Sequence, residues 1–280
     1  DIVFFPSGTL YPGGLQNIKT ITTVFDLQHE YFPNNFSERY LSQRKKDSVY
    51  VACNSDHIIA ISEFTKKTII EKYKINSDKI TVIYLAPQEQ NISRYSHRLT
   101  LPDDFIFYPA AVWPHKNHKI LIEAFNLLKP KFPNLNLVFS GSIKRGDLKK
   151  ELDALVVSYG LKDKVRFLGF VRDEDMALIY KHAKAVIYPS SFEGFGIPLV
   201  EAFNYGVPII AADNTSISEV VGVAGVLVET GNVQALADAI IKVLSDDNLR
   251  QDLIKKGHER AKDFLWNTTA NKTLELFNSL

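Results

Sequence analysis

Two carboxylates eight residues apart, Glu193 and Glu201, are the side chains whose type and spacing most directly suggest chemistry. They bound the string Glu-Gly-Phe-Gly-Ile-Pro-Leu-Val-Glu, which follows an apolar run that ends at Tyr188. A carboxylate accepts hydrogen bonds from two neighbouring hydroxyls, so each glutamate could hold the diol of a sugar or of a ribose. Taken singly, each also has an ordinary explanation, Glu193 as a solvated loop residue and Glu201 as a cap of the helix start.

The residues between these carboxylates predict a loop that leads into a helix. Pro198 suits a first helical turn, because its missing N–H would have no partner there. Gly194 and Gly196 let a ligand approach the backbone, and a helix N-terminus favours a phosphate or a sugar oxygen. Since the loop follows a buried strand, we expect it at the carboxyl edge of a parallel sheet, where open α/β sheets bind ligands.

Short β-rich runs alternate with helical patterns along almost the whole chain, and these elements must position the loop. We expect strands over residues 21–25, 57–61, 79–84, 105–108, 135–139, 165–168, 185–188, 208–211 and 225–228. Apolar residues at helical spacing lie between them, as in residues 120–128. This alternation is typical of βαβ units with parallel sheets, so the predicted fold class is α/β.

The polar stretch at residues 88–104 has no clear periodicity and predicts an interdomain linker. We expect a complete Rossmann-like domain over residues 96–265. Residues 1–95 would form about half of a second one. Residues 1–5 indicate a strand inside a domain, so we expect the chain to begin after the true N-terminus. The last helix, residues 266–280, has an apolar face that we expect to pack toward the N-terminal domain.

Composition excludes several classes of protein. The chain has 33 Lys and Arg against 32 Asp and Glu, a net charge of +1, which argues against a nucleic-acid partner. No apolar run reaches the roughly 20 residues that span a bilayer. The single cysteine, Cys53, excludes an internal disulfide framework and fits a reducing compartment.

The glutamate string resembles the Glu-x7-Glu signature of the family-four retaining glycosyltransferases, which have the GT-B fold of two Rossmann-like domains with parallel sheets. Further segments resemble the family in the expected order, namely residues 25–29, 59–65, 114–118, 167–171, 180–183 and 218–222. The resemblance covers essentially the whole chain and is nearest to bacterial mannosyltransferase-like enzymes of surface-polysaccharide assembly. It implies that the N-terminal domain is incomplete.

The resemblance implies a retaining hexosyltransferase that moves a mannose-like or other hexose from a nucleoside-diphosphate sugar to a hydroxyl of a saccharide or lipid-linked acceptor, without a further cofactor. Lys116 would neutralise the departing diphosphate, Glu193 would hold the donor sugar, and Glu201 would hold the ribose. The other implied donor-binding residues are His115, Gly141, Val171, Asp173, Gly194, Phe195, Gly196 and Ile197. Lys116 has an alternative explanation as an exposed lysine at a helix start.

On the acceptor side, the resemblance implies Asp26 and His29. The family commonly has a histidine where this chain has Phe25, and His29 could replace it or could be structural. The family also often has an arginine six residues before Lys116, where this chain has Ala110. A nucleotide-sugar-binding fragment without catalysis is therefore the alternative function.

The acidic triplet at residues 173–175 resembles an Asp-x-Asp metal motif, but its carboxylates also suit the start of a helix over residues 176–182. We favour the helix start and predict no metal site, since the histidines show no zinc spacing. Asp173 could contact the base or serve as the helix N-cap. We expect His118 on a helix surface.

The implied donors are cytosolic, so we expect a cytoplasmic protein, with peripheral association at the inner membrane face left open. Two cationic clusters, residues 44–46 and 66–67, could form a docking surface or could simply be solvated.

Overall fold

The computed structural model describes residues 1–8, 18–88, 99–143 and 145–280. These residues cluster into two compact units. The first unit comprises Asp1–Ala86, Phe192–Gly196 and Phe264–Leu280, and the second comprises Pro87–Ser191 and Ile197–Asp263. Much of the predicted linker lies outside the described residues.

The first unit contains a parallel sheet of four strands in the order β1-β2-β3-β4 among the described residues. The strands are β1 (Ile2–Phe5), β2 (Lys19–Val24), β3 (His57–Ala60) and β4 (Ile80–Val82). The helices between them are α1 (Gln28–Tyr31), α2 (Glu38–Asn54) and α3 (Glu63–Tyr73). Parallel strands need such crossovers, which is why the helical patterns alternate with the β-rich runs.

The second unit contains a parallel sheet of six strands in the order β10-β9-β8-β5-β6-β7 among the described residues. The strands are β5 (Phe105–Pro109), β6 (Asn136–Ser140), β7 (Val165–Phe167), β8 (Val186–Tyr188), β9 (Ile209–Ala212) and β10 (Gly225–Val228). This is the doubly wound order of a Rossmann-like domain. All nine predicted strands are confirmed, with ends that differ by at most two residues.

The helices of the second unit are α4 (His118–Leu128), α5 (Gly146–Ser158), α6 (Asp173–His182), α7 (Ile197–Asn204), α8 (Thr215–Val221), α9 (Val233–Ser245) and α10 (Asp247–Ala261). The chain ends with α11 (Trp266–Ser279), which belongs to the first unit. Among the described helices, none combines the length and apolar character needed to span a bilayer.

Strand β3 shows how the first unit builds a core on each side of its sheet. Ile58 and Ala60 pack on one side with residues of α2 and α3, whereas Ile59 packs on the other with Leu276 of α11. This alternation follows from the period of two along a strand. Helix α11 therefore covers one face of the first unit's sheet through its apolar side.

His118 is buried, so the expectation of a surface residue was wrong. It is the first residue of α4, and Asn117 before it adopts a left-handed conformation with φ of 54°. The chain therefore turns so that the His118 ring lies 5.0 Å from the Tyr108 ring and 5.1 Å from the Phe139 ring. Burial lowers the pKa of His118 to about 4, because the charged imidazolium would be desolvated.

This buried histidine predicts a pH-dependent stability. The folded-state pKa lies below the ordinary value of 6.5, so the unfolded chain takes up the proton first as the pH falls. The contribution of His118 is fully present above pH 6.5 and is lost as the pH falls toward 4. Over this window we expect the free energy of unfolding to fall by about 3 kcal/mol more in the wild type than in His118→Phe. Urea unfolding of both proteins at a series of pH values measures the difference, and parallel curves would contradict the prediction.

Candidate active site

The candidate site of the second unit lies where its strand order reverses. Strands β5 and β8 are neighbours in the sheet although β6 and β7 stand between them in the chain. In open α/β sheets the crevice outside the carboxyl ends of two such strands is the usual ligand site. β5 ends at Pro109 and leads to Lys116, whereas β8 ends at Tyr188 and leads to the loop that carries the glutamate string.

Hydrogen bonds tie the loops after these two strands together. The Ser191 backbone N–H donates to the His115 carbonyl at 2.8 Å. The Asn117 side-chain amide donates to the Pro189 carbonyl at 2.9 Å. The turn that carries Lys116 is thus held against the end of β8, and the Lys116 ammonium lies 5.9 Å from the centre of the Tyr188 ring. Lys116 is half-buried, which does not fit the alternative of an exposed lysine at a helix start.

Glu201 lies one turn into α7, and its partner comes from another helix. The Tyr180 hydroxyl of α6 donates to the Glu201 carboxylate at 2.7 Å. Tyr180 is fully buried and stacks on the Tyr205 ring at 5.3 Å. Burial raises the pKa of Glu201, the hydrogen bond from Tyr180 opposes this shift, and the charge of Asp173 adds to it. Nothing in the sequence pointed to Tyr180 as this partner, because no spacing links two residues on different helices.

The start of α7 confirms the predicted loop-to-helix transition. The helix begins at Ile197, so Pro198 occupies its first turn as expected. Gly196 precedes it with φ of 104°, a backbone conformation that residues with a Cβ rarely adopt. The turn that leads into α7 therefore requires glycine at position 196.

The segment Phe192–Gly196 belongs to the first unit and is anchored there by its aromatic residues and by its backbone. The Phe192 ring lies 5.3 Å from the Tyr31 ring and 5.6 Å from the Phe64 ring. The Ser62 hydroxyl donates to the Gly194 carbonyl at 2.8 Å. A Cβ on Gly194 would lie 2.2 Å from the Phe25 carbonyl oxygen. Close backbone packing against Phe25 thus requires this glycine, a reason that the sequence analysis did not anticipate.

Phe195 is buried in the same unit, with its ring 5.6 Å from the Phe264 ring and 5.9 Å from the Tyr84 ring. Any contact of Phe195 with a donor would therefore come from its backbone.

Gly141 follows β6 and brings two strand ends close together. Its φ is 128°, and a Cβ there would lie 2.5 Å from the Ala110 carbonyl carbon. Its N–H donates to the Gly169 carbonyl at 2.7 Å. Val171, two residues after Gly169, lies on the loop between β7 and α6. These contacts shape the edge of the sheet that carries Gly141 and Val171, two of the donor-binding residues that the resemblance implied.

The acidic triplet forms the first turn of α6, which confirms its interpretation as a helix start. The N-cap is Arg172, so Asp173 is the first helical residue and not the cap. The Arg172 guanidinium lies 3.4 Å from the Asp175 carboxylate. Within the described part of the chain, no group of three His, Cys, Asp or Glu side chains is arranged to hold a metal ion.

The two residues predicted on the acceptor side, Asp26 and His29, lie in different surroundings. Asp26 lines a cavity of about 400 Å³ in the first unit, together with Arg44 and Tyr40. His29 is fully buried in α1 and is not among the residues of that wall. Its position supports the structural alternative. Arg44, for which the sequence left a cationic docking surface or a solvated face open, donates to the Asp26 carboxylate at 2.8 Å.

The predicted site residues divide between the two units. The second unit contains His115, Lys116, Gly141, Val171, Asp173, Ile197 and Glu201, and the first contains Asp26, His29, Glu193, Gly194, Phe195 and Gly196.

Comparison with known protein families matches both parts of the chain. Residues 89–260 match the family described as glycosyl transferases group 1, and residues 1–86 match the family described as glycosyltransferase family 4. The O-antigen chain mannosyltransferase B of Escherichia coli is 30% identical over 279 residues, which cover 94% of this chain and 71% of that relative.

Solved structures share the architecture. A glycosyltransferase from Rickettsia africae superposes with a TM-score of 0.78 at 21% identity, over 100% of this chain and 76% of that one. The Anabaena protein HepE, solved in complex with UDP and glucose, superposes with a TM-score of 0.78 at 24% identity, over 94% of this chain and 72% of that one. These likenesses confirm the predicted α/β fold of the GT-B type.

The close approach at Gly141 predicts a large loss of stability on substitution. In Gly141→Ala the Cβ would meet the backbone of Ala110 at 2.5 Å, which no side-chain movement can relieve. We expect the free energy of unfolding to fall by more than about 2 kcal/mol. Gly160→Ala is the matched control, since its φ of 62° is also positive but its Cβ would meet nothing within 4 Å, and it should cost about 1 kcal/mol. Equal losses in urea unfolding would contradict the steric explanation.

Proposed function

Because the chain belongs to the glycosyl transferases group 1 family, we propose that it is a retaining hexosyltransferase. It would move a hexose from a nucleoside-diphosphate sugar to a hydroxyl of a saccharide or lipid-linked acceptor. The observation that carries the proposal is the position of Lys116, a half-buried cation on the loop after β5, tied to the end of β8 where the strand order reverses.

The sugar and the nucleotide are proposed from relatives. The Escherichia coli relative is named a mannosyltransferase, which supports mannose as the transferred hexose. The Anabaena structure contains UDP, which supports a nucleoside diphosphate as the carrier.

The proposed reaction breaks the anomeric C–O bond of the donor and forms a bond from the same carbon to the acceptor oxygen. Negative charge develops on the departing diphosphate, and a preplaced cation stabilises that charge most in the transition state. Lys116 is assigned this role, so the reaction would not depend on a metal. The acceptor proton would leave with the diphosphate, and attack from the face of the leaving group would retain the configuration.

Glu201 is assigned to the ribose diol. Within the described residues, one oxygen of its carboxylate accepts a hydrogen bond, from Tyr180 at 2.7 Å, which leaves the other oxygen to accept from ribose hydroxyls. Glu193 is assigned to the hydroxyls of the donor sugar. The two glutamates would therefore hold different parts of the donor, which differs from the paired carboxylates of retaining glycosidases.

The assignment of Lys116 predicts a loss of turnover with an intact fold. In Lys116→Ala we expect the turnover number to fall by about 100-fold to 1,000-fold, because the charge on the leaving group loses its cation. Lys119→Ala is the matched control, since Lys119 is exposed on the next turn and pairs only loosely with Glu123 at 3.8 Å. Donor hydrolysis and sugar transfer with UDP-, GDP- and ADP-sugars measure both variants, with and without EDTA.

Unchanged turnover in Lys116→Ala would contradict its role in stabilising the leaving diphosphate. Loss of activity in EDTA would contradict a metal-independent mechanism. A wild-type chain that binds nucleoside diphosphates in calorimetry but turns over no donor would support the alternative of a non-catalytic nucleotide-sugar-binding fragment.

The buried pair of Glu201 and Tyr180 predicts a pH-dependent affinity for nucleoside diphosphates. The ionised carboxylate binds the ribose, and burial raises its pKa, so we expect affinity to fall as the pH drops through that raised value. Tyr180→Phe removes a hydrogen bond that favours ionisation, so the loss should begin at higher pH, with affinity near neutrality reduced by about 10-fold. Calorimetry at several pH values tests this, with Tyr159→Phe in the same unit as control. Superimposable pH profiles for wild type and Tyr180→Phe would contradict it.

A further inference from the structure

Arg44 of helix α2 joins residues from two other elements. One guanidinium nitrogen, Nη2, donates to the Asp26 carboxylate at 2.8 Å. Its Nε donates to Nδ1 of His29 at 3.2 Å. The guanidinium carbon also lies 5.5 Å from the centre of the Phe36 ring, within the range of a cation–π contact. Arg44 therefore fixes a loop carboxylate and a buried imidazole with different nitrogens of one rigid group.

These contacts set the state of His29. Because Arg44 donates to Nδ1, that nitrogen carries no proton, and the ring proton resides on Nε2. Nε2 faces the Tyr73 hydroxyl at 3.4 Å, and Tyr73 in turn donates to the Glu30 carboxylate at 3.2 Å. Burial and the neighbouring Arg44 lower the pKa of His29. A neutral His29 lets Arg44 pair with Asp26 without a second cation beside it.

The same contacts orient Asp26. Its Oδ1 accepts from Arg44 and from the Gln28 backbone N–H at 2.9 Å. Within the described residues, no hydrogen bond to Oδ2 is present, and the side chain is 29% exposed on the wall of the 400 Å³ cavity. Two donors on one oxygen fix the plane of the carboxylate, so the other oxygen is left to accept a hydroxyl proton.

We propose that Arg44 is a positioning residue for sugar transfer, which orients Asp26 toward the acceptor hydroxyl through a guanidinium that also bonds His29. The proposal rests on the proposed function, because it takes the cavity of the first unit as the place of the acceptor. Arg44 itself does not contact the acceptor in this scheme. Its effect is to hold Asp26 in one geometry, and small displacements of such groups reduce rates strongly.

Replacing Arg44 with lysine separates the effect of geometry from the effect of charge. A guanidinium can donate in two directions at once, whereas an ammonium on a flexible stem acts as a point charge. Arg44→Lys would keep the positive charge beside Asp26 but would not hold Asp26 and His29 together. If Arg44 acts through geometry, the lysine variant should be nearly as impaired as Arg44→Gln.

The test compares Arg44→Lys, Arg44→Gln and the control Lys45→Gln, whose side chain is exposed on the same helix. For the two Arg44 variants we expect the turnover number with a saturating acceptor to fall by about 10-fold to 100-fold. Donor hydrolysis by water and the affinity for nucleoside diphosphates should stay within about twofold, since neither uses Asp26. Lys45→Gln should match the wild type in transfer, in donor hydrolysis and in affinity for nucleoside diphosphates.

A second readout reports on His29 directly. The charged and titratable groups that face it are Arg44, Glu30, Asp26, Lys45 and Tyr73. Without Arg44, the carboxylates of Glu30 and Asp26 outweigh the remaining cation, Lys45. The pKa of His29 should therefore rise in Arg44→Gln. The NMR signal of the His29 ring, assigned with His29→Gln, measures this shift, whereas a purely steric role of Arg44 would leave the titration unchanged.

Arg44→Gln with wild-type transfer would overturn the proposal, as would an equal loss of transfer and donor hydrolysis accompanied by a lowered melting temperature. An unshifted His29 titration would also overturn it. Failure of the proposed function is distinct, because it would show as a wild-type chain that neither hydrolyses donor nor binds nucleoside diphosphates.

Discussion

The hydrogen bond from the Ser191 N–H to the His115 carbonyl is the contact on which the rest of the second unit's site depends. It joins the loops after β5 and β8, the two strands between which the order of the sheet reverses. The amide of Asn117 reinforces it by bonding the Pro189 carbonyl. Because these bonds join backbone groups and the half-buried Asn117 amide, separation of the loops would break both bonds, which is energetically unfavourable. The position of Lys116 follows from this joint, and its assigned role in stabilising a leaving diphosphate follows from that position.

Two carboxylates assigned to ligands are held in opposite electrostatic settings. Glu201 has a neutral phenol, Tyr180, as its partner in a buried place, and its pKa is raised because burial penalises the charge. Asp26 has the cationic Arg44 as its partner in a more open place. In both cases the partner bonds one oxygen, so the second oxygen can serve a ligand. The charge of Glu201 is therefore opposed mainly by desolvation, whereas the charge of Asp26 faces a neighbouring cation.

Glycines predicted to admit a ligand also serve the protein backbone. The sequence pattern indicated that Gly194 would let a ligand reach the main chain, and the structure shows Gly194 packed against the Phe25 carbonyl. Gly141 is similarly required by the nearby backbone of Ala110. Gly141 directly follows β6, and Gly194 packs against the residue that follows β2, so each lies beside the carboxyl end of a parallel strand. Close packing there leaves no room for a Cβ, whether or not a ligand is bound.

The sequence by itself determined the α/β class, the positions of the strands, the helix starts at Asp173 and before Pro198, and the glutamate string, because each of these depends on local periodicity or on neighbours in the chain. Only the tertiary structure decided that His118 is buried, that Arg44 bonds Asp26, and that α6 supplies the partner of Glu201. Those outcomes depend on which faces of separate elements meet. Residues on different helices carry no spacing signal that records such a meeting, so a single sequence does not reveal it.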